Sequence, residues 1–100
     1  MIKHIVMWKF KECDTVEEKM TKIKKFEDGL MSLVGVVKEL KSAEFQYNMN
    51  APEKNYDATL ISEFESIEDL NAYLVHPEHK KVSAYCQEIR VSRAAVDYEF

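Results

Sequence analysis

The chain has 100 residues, 46% of them hydrophobic and 11% aromatic, with a formal charge of −4. That length and apolar share fit a single domain over residues 1–100 and exclude a disordered segment. The acidic balance argues against nucleic acid as a partner, because phosphates demand a basic face.

Only two glycines and two prolines are present, too few for a linker or a loop-rich scaffold. Cys13 and Cys86 lie far apart and fit no metal or redox spacing, so they are expected to be free thiols of a reducing compartment. No run approaches the roughly 20 apolar residues that span a bilayer. The N-terminus carries no apolar leader segment. These features lead to the expectation of a soluble cytoplasmic protein with no membrane partner.

Residues Ile2 to Phe10 alternate as a first strand. Ile2, His4, Val6, Trp8 and Phe10 share one face, and Lys3, Ile5, Met7 and Lys9 the other. The second face is apolar in its middle and basic at its ends. A strand apolar on both faces calls for something packed on each, helices on one and a partner subunit on the other.

Cys13-Asp14-Thr15 opens a helix, with Thr15 and Glu18 at capping-box spacing. Val16, Met20, Ile23, Phe26, Leu30 and Leu33 follow at steps of three or four. The lysines Lys19, Lys22, Lys24 and Lys25 form a solvated face. The helix is expected to end near Leu33, with Gly35 as its left-handed cap. Val36 to Tyr47 is expected as a second strand, with a bulge where Leu40 breaks the alternation of Val37, Ala43, Phe45 and Tyr47. Asn48 to Asn55, containing Pro52, is a polar loop too long for a tight hairpin. Tyr56 to Phe64 is a third strand.

Ser66 is placed to cap the next helix, with Asp69 three residues on and an apolar stripe of Ile67, Leu70, Tyr73 and Leu74. Pro77 cannot continue that helix but can start another. His76 is therefore a corner, and His79 falls in the first turn of a following helix whose apolar face is Val82, Tyr85, Cys86 and Ile89. Arg93 to Phe100 closes the chain as a fourth strand, with Ala94, Val96, Tyr98 and Phe100 on one side. The order is βαββαβ. It predicts an α+β, ferredoxin-like domain: a four-stranded antiparallel sheet with helices on one face. Ile5, Met7, Ile61 and Leu40 are expected on the bare face, which dimerisation would cover.

The chemistry concentrates in Tyr73-Leu74-Val75-His76-Pro77-Glu78-His79. The Pro77 corner lets Tyr73 and His79 turn toward one cavity. A histidine is a natural general base near neutral pH, and a tyrosine hydroxyl can hold a carbonyl oxygen. His4 lies on the apolar face of the first strand. Trp8, Phe10, Tyr56 and Phe64 are either the floor of an aromatic pocket or ordinary core. His76 and His79 are three apart across a helix break, and no cysteine joins them at a diagnostic spacing, so no metal site is assigned.

In this order, Lys3-His4-Ile5-Val6-Met7-Trp8-Lys9-Phe10 and Phe64-Glu65-Ser66-Ile67-Glu68, leading into Tyr73 to His79, resemble the stress-responsive α/β-barrel (Dabb) family across essentially the whole chain. The resemblance implies a ferredoxin-like subunit that pairs with a second copy into a dimeric α/β barrel. Most members have no assigned reaction. The best-defined enzyme of the family is a plant polyketide cyclase, olivetolic acid cyclase, which performs a cofactor-free aldol condensation. Its catalytic pair falls on Tyr73 and His79, and its first-strand pocket histidine on His4. A further pocket histidine is replaced here by Ala58. Three readings follow. They are a dimeric, stress-associated small-molecule binder, a cofactor-independent acid–base enzyme using Tyr73 and His79, and a structural or interaction module.

Overall fold

The computed structural model describes residues 1–50 and 54–100. Four strands and three helices run in the order β1 (Ile2–Phe10), α1 (Val16–Met31), β2 (Ser42–Tyr47), β3 (Ala58–Phe64), α2 (Ile67–Val75), α3 (Pro77–Ile89) and β4 (Arg90–Glu99). The sheet order is β2-β3-β1-β4 and every pairing is antiparallel. This is the ferredoxin-like α+β fold expected from the pattern.

Strand β1 buries its even residues, as the alternation requires: Ile2, His4, Val6, Trp8 and Phe10 all face the helices. Strand β3 buries Ala58, Leu60, Ser62 and Phe64 on the same side. From α1 come Ile23, Phe26 and Leu30, and from α2 Leu70 and Tyr73, to close the core. Trp8 is boxed by aromatic rings, with Phe26 edge-on at 4.9 Å and Phe45 stacked at 6.0 Å between centroids. Val16 and Met20, at the start of the predicted stripe, are exposed because α1 overhangs the sheet there.

The helix caps follow the sequence. Thr15 Oγ1 accepts the Glu18 amide at 3.0 Å and Ser66 Oγ accepts the Asp69 amide at 3.1 Å. His76 caps α3, its Nδ1 accepting the Glu78 amide at 3.1 Å, with Pro77 as the first helical residue. Gly29 lets α1 approach α3 closely, since a Cβ there would meet Val82 Cγ2 at 3.3 Å.

Three boundaries differ from expectation. α1 stops at Met31, and Gly35, at φ +90°, is the third residue of a turn closed by Val36 N–H donating to Leu33 O at 3.1 Å. Val36 does not start a strand. Residues 33–40 form successive turns, Val37 N–H donating to Leu33 O and Leu40 N–H to Val37 O, and β2 begins only at Ser42. This coiling buries both Val37 and Leu40, so the break in alternation is a turn and not a bulge, and Leu40 belongs to the core, not to the bare face. β4 begins at Arg90, directly after α3, and its register slips between Lys9 and Phe10 of β1. β3 starts two residues later than predicted, at Ala58. The expected loop at 48–55 lies partly outside the described residues.

The face away from the helices carries a row Ile61–Ile5–Val96 across β3, β1 and β4. Met7–Ala94 and Lys3–Tyr98 flank it. The apolar side of β4 therefore lies on the bare face, where Val96 is 52% and Tyr98 43% exposed. Its charged side, Arg93 and Asp97, lies on the helix side.

Candidate functional site

A cavity of about 260 Å³ lies between the sheet and the helices. β1 supplies His4, Val6 and Trp8, α1 supplies Phe26 and Leu30, β3 supplies Leu60, and α2 supplies Tyr73 and Leu74. His79, Ser83 and Cys86 come from α3, and Arg90 and Arg93 from the start of β4. Apolar and polar side chains share the wall. The polar groups come from four different elements, which only the closed fold brings together.

Tyr73 and His79 meet as the corner predicts. Their ring centroids are 4.4 Å apart, tilted by 53°. The helix break makes this contact, because Pro77 redirects the chain so that the start of α3 returns over the end of α2. Tyr73 also packs on Phe64, centroid to centroid at 5.1 Å. Burial alone pushes the Tyr73 hydroxyl up to about 12, so it is a donor at every physiological pH.

The Nδ1–H of His79 donates to the Leu74 carbonyl at 3.2 Å, leaving Nε2 as the free acceptor. Burial holds this imidazole below its ordinary 6.5. The Leu74 carbonyl works the other way, and the nearby His4, Arg93 and His76 add to the lowering. His79 is thus held toward its neutral, basic form in the cavity wall. His4 is buried at the middle of the site, its Nδ1 donating to Asp97 Oδ1 across the β1–β4 ladder. That bond directs Nε2 of His4 away from the carboxylate. Cys86 is an unpaired thiol that burial pushes up to about 11, which makes it a poor nucleophile.

Of the residues singled out in the sequence, His4, Trp8, Tyr73 and His79 line this cavity together. Tyr56 and Ala58 do not. They border a second, more open groove of about 410 Å³ with Met7, Gln46 and Thr59, beside the bare face. The start of β3 is simply too far along the sheet from α3. Phe64 lies wholly buried behind Tyr73 and supports it. His76 is spent on capping α3. Among the described residues, no three His, Cys, Asp or Glu side chains gather as a metal site.

Sequence reasoning missed Asp97, Arg90, Arg93 and Ser83. A partial signal for Asp97 and Arg93 was present: from Arg93 on, β4 is apolar on one parity and carries its charges on the other, whereas Arg90 reaches the helix side only through the register shift at Phe10.

Fold and cavity together define a ferredoxin-like subunit with a cavity on the helix side of its sheet. Residues 2–100 match the stress responsive A/B barrel domain family, Dabb, and the chain belongs to that family. The Arabidopsis thaliana stress-response A/B barrel domain-containing protein DABB1 is 29% identical over 100 residues, 98% of this chain and 46% of that protein. The chain thus spans about half the length of that curated relative. A dimeric protein of unknown function with a ferredoxin-like fold from Bacteroides fragilis is 35% identical, with a TM-score of 0.88 over 99% of this chain and 95% of that one. A hydroxynitrile lyase from Passiflora edulis is 14% identical, with a TM-score of 0.82 over 97% of this chain and 90% of that one, a likeness of fold. Among the described residues no helix is long and apolar enough to cross a membrane.

Proposed function

We propose that this Dabb-family domain is a stress-associated binder of a small, largely apolar molecule carrying a carbonyl or comparable polar group. The binding unit is a homodimer joined through the bare sheet face. One observation carries the reading: a cavity of about 260 Å³ in which apolar side chains stand beside the polar groups of His4, Tyr73, His79 and Ser83, with Arg90 and Arg93 at its edge. It exceeds the roughly 150 Å³ that accepts benzene in an engineered core. Few, well-placed polar groups in an apolar wall are the general form of a small-molecule site. A purely structural module has no use for such a wall.

Trp8 is the chain's single tryptophan and lines the cavity, so its fluorescence reports occupancy. Titration with acetophenone is expected to change Trp8 emission saturably. Ser83→Phe, which fills the cavity from α3, should abolish the change while circular dichroism stays the same. Emission that acetophenone leaves untouched would overturn the reading.

A second reading, cofactor-free proton transfer, is favoured by one feature: a His79 imidazole held toward its neutral form, its Nδ1 taken by the Leu74 carbonyl, packed against the Tyr73 ring. His79 would take a proton from a carbon next to a carbonyl and become imidazolium. The C–H electron pair would pass to the carbonyl oxygen as an enolate, which the Tyr73 hydroxyl would stabilise by a hydrogen bond. The imidazolium proton exchanges with solvent, and delivery of the solvent-derived proton to carbon regenerates neutral His79. Deuterium entry into the acetophenone methyl group in heavy water, followed by NMR, measures this step. His79→Ala and Tyr73→Phe should each slow the protein-dependent rate, His79→Ala by about 10²–10⁴-fold. Full rate in both variants would end the catalytic reading.

A further inference from the structure

The geometry points to a carboxylate on the molecule this cavity takes, held at the mouth by Arg90 and Arg93. The inference rests on the reading of the cavity as a ligand site, and adds the charge of its ligand.

The chain has only two arginines among its fourteen basic residues. Both line the cavity, and both also border the adjoining surface groove with Gln87, Val91 and Ser92, so they stand where the cavity meets solvent. Arg90 is the residue at which α3 passes into β4, and Arg93 sits opposite Trp8 in the β1–β4 register, on the helix side. Every ion pair among the described residues draws its cation from lysine or histidine, never from arginine. Of the two acids on the same side of β4, Asp97, the nearer in sequence to Arg93, is taken by His4. Among the described residues, an acidic chain thus leaves two guanidinium groups without an ion pair at one opening.

An arginine fork presents parallel N–H donors that match a planar carboxylate, and such charge-assisted pairs are the stronger hydrogen bonds. Deeper in, Val6, Phe26, Leu30 and Leu60 offer apolar surface, and Trp8 its indole ring. The complementary molecule has a small apolar body pointing inward and a carboxylate at the mouth. A cationic ligand would meet like charge there.

The test compares matched acids and amides: benzoate against benzamide and hexanoate against hexanamide, each read by Trp8 fluorescence at low ionic strength. The acids are expected to bind about ten-fold tighter or more than their amides, the ratio one charge-assisted hydrogen bond produces. The Arg90→Gln/Arg93→Gln double variant should lose this preference, the acid falling to the affinity of its amide. Arg93→Lys, which keeps the charge but not the fork, should retain part of it. Equal binding of acid and amide by the unaltered protein, or an undiminished preference in the double variant, overturns the carboxylate while leaving the cavity reading intact. If neither acids nor amides perturb Trp8, the cavity reading falls and the carboxylate falls with it.

Discussion

Tyr73 and His79 make opposite demands on the protein, and each demand can be measured. The Tyr73 ring is core, packed on Phe64 and His79. Its hydroxyl is a cavity group whose only marked influence is burial. Tyr73→Ala should therefore cost about 3–5 kcal/mol in urea unfolding, as for other buried aromatic truncations. Tyr73→Phe should leave the midpoint within about 0.5 kcal/mol of the parent. A large loss in Tyr73→Phe would show that the hydroxyl serves the fold. His79 binds its proton more weakly in the folded chain than at its ordinary 6.5. Between the two values the unfolded chain holds more protons, so stability rises with pH. The contribution is complete above about 6.5 and is lost as pH falls toward the folded value. Urea midpoints against pH should drop less steeply on the acid side for His79→Gln than for the parent; parallel curves would contradict this. His4, Tyr73 and His79 were legible because rare polar types interrupt apolar patterns or flank a proline. Arg90, Arg93 and Asp97 were not, since charged residues on a terminal strand look like solvent-facing ones until the strand's neighbours are known.

At the scale of elements, caps and breaks were the most legible features, because they act over three or four residues. Ser66, His76 and Thr15 each accept a backbone amide at a helix start. Ser66→Ala should cost about 1 kcal/mol, measured by thermal or urea unfolding, and Ser66→Asp should restore most of it. Gly35 sits at φ +90° with nothing within 4 Å of a Cβ, so the cost of Gly35→Ala is backbone strain alone. That strain is about 1–2 kcal/mol, and a neutral Gly35→Ala would show that the turn at 33–36 relaxes. The strand boundary at Val36 was misjudged for a physical reason. Val37 and Leu40 are apolar in a pattern short enough to suit a strand, yet they are buried by a chain of turns. Hydrophobicity records that a residue is buried but not which backbone geometry buries it.

At the scale of the whole molecule, the bare sheet face is the surface on which the proposed assembly rests. The row Ile61–Ile5–Val96 crosses three strands, and Val96 is 52% exposed at its end. A dimer is expected at micromolar concentration in sedimentation, in keeping with the dimeric relatives of this fold. Val96→Asp, which places a charge in that row, should shift the population to monomer without altering Trp8 emission, since Trp8 lies on the other face. A monomeric parent protein would remove the basis for this assembly. The sequence by itself determined the element order, the two-sided first strand, the His76-Pro77 corner and the family, because each is written in local spacing or in a motif. Only the tertiary structure decided which side of β4 meets the helices, how large a cavity remains behind Tyr73, and that both arginines reach its mouth. Those facts depend on strand register and on the α3-to-β4 junction. Both are fixed by packing between residues far apart in sequence, and no local pattern records that packing.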